Sequence, residues 1–519
     1  MITKYDIVII GASLDGLIAA SYLAKAGKSV AVIDSADEAG GLHRTVEIAP
    51  GFKCPGAIDC VNELHPSIVA DLNLDSHGLK IIEGGSLSLI DSAGLALSLE
   101  SDGVAYSREE IEHGDLQEFQ ELKTFVLHIS RALRPALTQA LADPTIDRLS
   151  GLADLMHLGW ALRKLGSRNM PEALRLLPMN IRDLMDERFS SSAMKTLLAA
   201  ESLRGTRMAP RSDGSIFGLI HRSSFWAGGL AGALRVSEGG PGALAESLVR
   251  AATAAGAHIH LGLEAASVDI SVDEITGVRL SNGTKIEAGT VISSRDPKST
   301  LLELVGPKWL DPDFVEKATQ IRGRGALSIV RFAIDRLPRL NGASDSNAAL
   351  GGRLFFANEI DDIERAHDAT KYGEFPSRPF LSATFPSVTD PSLAPEGQHV
   401  VNVWVHFTPF NLRESSWSHQ RGRLLEEVKA RLEKSMPGFA ESILHSQVLT
   451  PEDVARDFNV EQGCMEHVEL SLDQVLYMRP IPGWFNYKTP LKGLLMCGPG
   501  THPGGQSGLS GKIVAAGLV

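Results

Sequence analysis

The chain opens on a change of hydrophobic period. Ile7 to Ile10 is a short apolar run rich in β-branched residues, as in a buried parallel strand. A glycine-bearing break follows, "GASLDG". Leu17, Ala20, Tyr22 and Leu23 then recur at helical spacing, and Gly27 stands where a helix C-cap belongs. "SVAVID" returns to a strand pattern. Strand, turn, helix and strand in this order predict a right-handed βαβ unit.

Apolar residues at three- and four-residue spacing predict helices in "LQEFQELKTFVLHISRAL" and "IRDLMDERFSSSAMKTLLAAESL", within a helical stretch from about 115 to 205. "EGGPGALAESLVRAATAAGAHIHLG" reads as a glycine turn, a helix and a strand. "ITGVRLSNGTKIEAGTVISS" reads as a hairpin turning at Asn282-Gly283, then a further strand. "LSIVRFAI", "GRLFFAN", "PFLSATFPS" and "HVVNVWVHFTPF" carry strand patterns, and "LNGASDSNAALGG" reads as a loop. "GRLLEEVKARLEKSM" is an amphipathic helix with Leu424, Leu425, Val428 and Leu432 inward. The chain closes with the strand "GLLMCG", a glycine-rich loop and a helix.

These elements predict an α/β protein in which a Rossmann-like domain is interleaved with a second domain of mixed sheet and helices. The expected division is 1–100, 231–305 and 481–519 for the cofactor domain, 101–230 for a helical cap and 306–480 for a sheet-containing substrate domain.

Composition narrows the partners. At 519 residues the chain is long enough for more than one core, and its net charge of −13 speaks against nucleic acid. The four cysteines, Cys54, Cys60, Cys464 and Cys497, form no C-x-x-C pair, so no metal site is expected. A strand begins directly after the start, and no apolar run approaches the ~20 residues of a membrane span. The expectation is a cytoplasmic protein, with peripheral membrane contact left open.

"GASLDG" departs from the G-x-G-x-x-G dinucleotide turn at Ser13 and adds Asp15 beside Gly16. In such a turn the glycines permit the bend and the close approach of helix to strand, and the pyrophosphate sits on the helix N-terminus. Asp34 ends the second strand, where an acid can meet a ribose hydroxyl. Asp15 is expected to cap the helix or to serve structure. The turn leaves two readings: a dinucleotide site, or the fold without its ligand.

Longer stretches carry a resemblance: Gly40-Gly41, "APGFKCPGAIDCVNELHPSIVADLNLDSHGL", "EGGPGALAESLVRAATAAGAHI", "PSVTDPSLAPEGQHVVNVW" and "MRPIPGWFNYKTPLKGLLMCGPGTHPGG". Over almost its whole length the chain resembles the FAD-dependent phytoene desaturase and carotenoid isomerase-like oxidoreductases. Within them it resembles the branch of the pyridine nucleotide-disulphide oxidoreductase domain protein 2 relatives. The resemblance implies a p-hydroxybenzoate-hydroxylase-like two-domain fold, related to amine oxidases, with one FAD. By the same resemblance Gly11, Ala12, Ser13, Leu14, Asp15 and Gly16 meet the pyrophosphate, and Asp34 with Ser35 the ribose. Gly40, Gly41 and Leu42 line the cofactor further along, and Ala265 meets adenine. Gly498, Gly500, Gly504 and Gly505 form the loop beside the flavin, with Gln506, Ser507 and Gly508 at the last helix. The N-terminus of that helix is expected to face the ring, where its dipole favours the reduced anion.

His502 is the one catalytic candidate, against the plainer reading of a loop histidine fixing the turn before Pro503. His221 and His467 match positions bordering the substrate cavity, although a core role is the plainer reading. Trp226, Phe225, Trp404, Phe407 and Phe410 are cavity candidates against a core alternative, and Cys497 is read as packing. The expected reaction is hydride transfer to flavin from an apolar substrate such as a carotenoid or terpenoid, giving desaturation or isomerisation, with an external electron acceptor. Amine oxidation is the alternative chemistry. A half-catalytic or non-catalytic subunit of a heteromeric flavoprotein is the alternative class, and a homo- or hetero-oligomer is compatible with either.

Overall fold

The computed structural model describes residues 3–100, 102–141, 148–225, 230–325, 327–343 and 346–519, so Trp226 lies outside the described residues. The opening unit forms as its pattern predicts: strand Lys4–Ile10, helix Leu14–Lys25, strand Val30–Ile33. Gly27, at φ +83°, ends the helix: its N–H donates to Ala24 and that of Lys28 to Leu23, a Schellman closure.

The first sheet runs in the order His258–His260, Val30–Ile33, Lys4–Ile10, Lys285–Ser293, Glu274–Leu280, Ala265–Ser271. Strand Lys285–Ser293 divides its partners. Residues 285–287 pair antiparallel within the Asn282-Gly283 hairpin, and residues 291–293 pair parallel with Leu494–Met496 near the end of the chain. The closing helix Leu509–Ala516 lies on helix Leu14–Lys25 at a separation only glycine allows. A Cβ at Gly511 would stand 2.2 Å from the Asp15 carbonyl oxygen, and one at Gly508 2.5 Å from Ile18 Cδ1.

The second sheet has eight strands, ordered 443–449, 327–334, 399–406, 380–384, 353–356, 87–91, 94–100, 103–107. Residues 87–100, grouped with the cofactor domain in the sequence-based division, therefore pair inside the second sheet. Helix Trp417–Ser435 covers the outer face through Leu424, Val428 and Leu432, packed on Val401, Val403 and Val405, while Leu425 is only half-buried. The helical stretch breaks at 189–191 because the Asp115 carboxylate takes the N–H groups of Ser190 and Ser191. The segment read as a loop near residue 345 contains a short helix, Ser346–Leu350.

Among the described residues, no helix is long and apolar enough to cross a membrane.

Candidate functional site

A cavity of about 860 Å³ starts at the Gly11–Gly16 turn, passes Gly40-Gly41-Leu42 and ends among His43, His467, Pro499 and Gln506. Its volume lies in the range of small-molecule sites, about 300–1,000 Å³. Asp34, Ser35, Leu263 and Ala265 line its other end.

The turn is built by close approach. A Cβ at Gly16 would stand 2.2 Å from the Gly11 carbonyl oxygen, and one at Gly11 2.3 Å from Ser294 Oγ. Ser13, not Asp15, caps the helix: its Oγ accepts the Gly16 N–H at 3.3 Å. The N–H groups of Leu14 and Asp15 meet no acceptor among the described residues, which leaves an anion seat at the helix start. The Asp15 side chain is buried and turned away, accepting the Gly511 N–H of the closing helix at 2.9 Å. Burial pushes its carboxyl up to about 6, against the opposing pull of that hydrogen bond.

Asp34 orders the neighbouring backbone, accepting from Ala12 N–H at 2.6 Å and Ala36 N–H at 2.8 Å. A carboxylate has about four acceptor directions, so two remain for a ribose hydroxyl. Gly40, at φ +113°, binds Ala12 O through its N–H at 2.7 Å, and a Cβ there would meet Ala245 Cβ at 2.7 Å. Leu42 buries its side chain, and its carbonyl accepts from Ala57 and Ile58.

The C-terminal loop differs from its expected role. Only Pro499 and Gln506 of this segment line the cavity. Gly498 donates its N–H to Ser510 Oγ, and Gly500 packs on Pro297, where a Cβ would approach within 2.6 Å. Gly504 and Gly505 face the interior: a Cβ would stand 3.1 Å from Arg479 Nε at the former and 2.9 Å from His221 Cε1 at the latter. The start of the last helix is largely occupied. Leu509 N–H goes to Ser507 Oγ, Gly511 N–H goes to Asp15, and Gly508 packs on Ile18. At this junction between two helices the amides of Leu509 and Gly511 are satisfied within the chain.

His502 is fully buried against Ala136 and Gln139 at the end of helix His113–Thr138 and does not line the cavity. His467 does. It is 7% exposed, its backbone is left-handed at φ +56°, and its Nδ1 has no partner among the described residues. Burial pulls the imidazole down to about 4, so it is neutral near pH 7. Nothing in the spacing of "CMEHVEL" separated it from a core histidine. Arg479 escaped notice too: fully buried, its guanidinium donates to the carbonyls of Glu466, Val468, Glu469, Gln474, Pro499 and Thr501 and so holds the loop in place.

Beyond the cavity end lies a buried polar wall. Gln506 N–H donates to Glu63 Oε2 at 3.1 Å, and Glu63 stands 3.6 Å from Arg204, which is paired in turn with Glu201 at 3.3 Å. Burial pushes nearby Glu466 up to about 7. On the inner face of the second sheet, Arg331, Asn402, Thr384 and Arg353 stand side by side across four strands. Arg353 holds Asp59 through two hydrogen bonds at 3.0 and 2.6 Å, and Asn402 has no side-chain partner among the described residues. Trp404 lies on this face with its ring 5.3 Å from the Arg353 guanidinium. Phe225 packs on His221, Phe407 on His367 and Phe380, and Phe410 is half-buried with its carbonyl accepting from Trp417. Cys497 is buried in the core. The wall is thus polar at its centre, and Phe225, Phe407 and Phe410 take the core alternative rather than the cavity one.

Amides without acceptors at a helix start, a strand-end acid, a glycine edge and an elongated cavity are the features of a dinucleotide-dependent oxidoreductase of the two-domain flavoprotein architecture. Residues 16–517 match the model of the flavin containing amine oxidoreductase family, and the chain belongs to that family. It is 32% identical to the Mus musculus "Pyridine nucleotide-disulfide oxidoreductase domain-containing protein 2" over 97% of this chain and 91% of that protein. It is 23% identical to a limonene dehydrogenase polypeptide of Castellaniella defragrans, one component of a multi-subunit enzyme by its name, over 99% of this chain and 94% of that one. Among solved structures, putrescine oxidase (the A394C mutant) has the same fold, with TM-score 0.63 at 15% identity over 100% of this chain and 99% of that one. The cofactor is FAD, and the donor set fits it: amides and glycines for the pyrophosphate, Asp34 for the ribose, and the unpartnered His467 nitrogen farther along.

Proposed function

We propose that this flavin-dependent oxidoreductase dehydrogenates a small molecule with an apolar body, producing a double bond by desaturation or, where the electrons return, isomerisation. Bound FAD supplies the two-electron chemistry. The chain supplies the rest. Leu14 and Asp15 N–H groups would hold the pyrophosphate and Asp34 the ribose. Arg479 keeps the 499–501 loop against the cavity. The second sheet excludes water from the far end. Glu466, whose carboxyl burial raises to about 7 and whose Oε2 has no partner among the described residues, is the wall's candidate for exchanging the proton that must leave the substrate. The carrying observation is the hydrogen bond from Gln506 N–H to Glu63, because it joins the cofactor cavity to the buried wall where a substrate would be oriented. The limonene dehydrogenase likeness over nearly the whole chain supports a terpenoid-like body and makes a heteromeric assembly a natural expectation.

A second reading is oxidation of an amine. It is favoured by three carboxyl groups around the same wall, buried Glu201 and the partly buried Glu63 and Glu466. The test is anaerobic mixing of the purified holoprotein with a cyclic monoterpene, a long polyene and a primary amine, following bleaching of the oxidised flavin band. Bleaching by a hydrocarbon supports dehydrogenation, and bleaching by the amine alone overturns it in favour of the second reading. A protein that carries no flavin and takes none up on reconstitution would contradict both.

A further inference from the structure

A second cavity, about 720 Å³, lies far from the glycine turn, between helix His113–Thr138 and helix Arg148–Arg163. Its floor is apolar because the facing residues are small or aliphatic: Ala132 and Ala136 on the first helix, Leu158, Ala161 and Leu165 on or just beyond the second. Alanines at i and i+4 are too short to fill the space between the helices and leave a trough rather than an interlocked seam. Leu476 lines it as well.

The charge of the rim is one-sided. Arg131, Lys164, His128 and His157 line it, and no carboxylate does so among the described residues. That is unexpected in a chain with 63 acidic and 50 basic residues. Arg131 has no ion-pair partner among the described residues, and Lys164 sits 3.4 Å above the exposed Trp160 ring instead of on an acid. A cation over an indole face keeps its charge while remaining free to meet an anion.

We propose that this trough binds a free single-chain amphiphile, with its hydrocarbon tail along the alanine floor and its carboxylate head on Arg131 and Lys164. A concave trough between two helices suits one chain, whereas a flat bilayer surface would leave its floor uncovered. An Arg guanidinium matches a carboxylate with two parallel hydrogen bonds, and the neighbouring ammonium adds charge. The proposal does not depend on the reaction assigned above. The two sites are separated by one helix: Ala136, on the trough, also meets His502, and the loop carrying His502 reaches the cofactor cavity through Pro499 and Gln506.

The test is fluorescence titration of the full-length protein with cis-parinaric acid below its micellar range, beside its methyl ester and the Arg131→Gln/Lys164→Gln double variant. One saturable site is expected, with the acid bound about tenfold or more tighter than the ester, as the loss of a charge-assisted hydrogen bond implies. The double variant should erase that preference while keeping the wild-type melting transition, since both side chains are exposed. No saturable binding, equal affinity for acid and ester, or an unchanged double variant would overturn the proposal. So would binding confined to anionic phosphatidylserine vesicles, which would make the face a membrane surface. Each outcome is read without reference to flavin or turnover.

Discussion

Replacing Asp15 by Asn tests how the cofactor domain is held together. Asp15 is 2% exposed, and its carboxyl is raised from 3.8 to about 6 by burial between two helices. Between those values the folded chain keeps a proton that the unfolded chain has released. Stability therefore falls as pH rises from about 4 to about 6, and the loss persists above. A shift of about two units at about 1.4 kcal/mol each is about 3 kcal/mol. Asn retains an oxygen for the Gly511 N–H and removes the charge. Urea unfolding should show Asp15→Asn close to wild type near pH 4 and more stable by up to about 3 kcal/mol near pH 7. A second readout follows from the pyrophosphate. Its negative charge near the turn would raise the Asp15 carboxyl further, so wild-type affinity for FAD should fall as pH climbs past about 6. The Asp15→Asn profile should be flatter. Parallel stability curves for the two proteins, or a variant less stable near pH 7, would refute the assignment of a buried, weakly compensated carboxyl.

Gly16→Ala places a Cβ 2.2 Å from the Gly11 carbonyl oxygen, so it should cost about 1–3 kcal/mol in urea unfolding and weaken FAD binding in the same variant. His467→Phe should lower FAD affinity about tenfold in a titration of apoprotein while His467→Gln recovers part of it, because the contribution is assigned to Nδ1 rather than to volume; equal affinity in the Phe variant would reduce His467 to packing. Asp59→Asn leaves the buried Arg353 guanidinium without its carboxylate, and unfolding should show a loss of about 3–5 kcal/mol. Gly505→Val should crowd His221 and Glu63 and lower the melting temperature before any effect on flavin potential, the reverse of the order a ring-facing glycine would give.

What the sequence determined by itself is local. The β-branched run at Ile7–Ile10, the helical spacing after Gly16, the Gly27 closure and the Asn282-Gly283 turn each encode their own geometry within one turn or strand. The pattern therefore placed the βαβ unit, the hairpin and most helices. The glycine turn and Asp34 were legible for the same reason: steric demand at Gly11 and Gly16 arises within a few residues. Tertiary structure decided whatever depends on partners distant in the chain. Strands at 87–107 could be assigned to the second sheet only by pairing beside residues 353–356. Asp15 became a link to Gly511, 496 residues away, rather than a helix cap because the first and last helices pack within glycine distance. The polar row Arg331–Asn402–Thr384–Arg353 exists only once four strands are in register, since each residue alone looks like an ordinary interruption of an apolar strand. The exchange of His502 for His467 at the cavity has the same origin. A histidine's surroundings are set by the elements folded around it, and neither "THPGG" nor "MEHVE" records which of them faces the cofactor and which faces a helix.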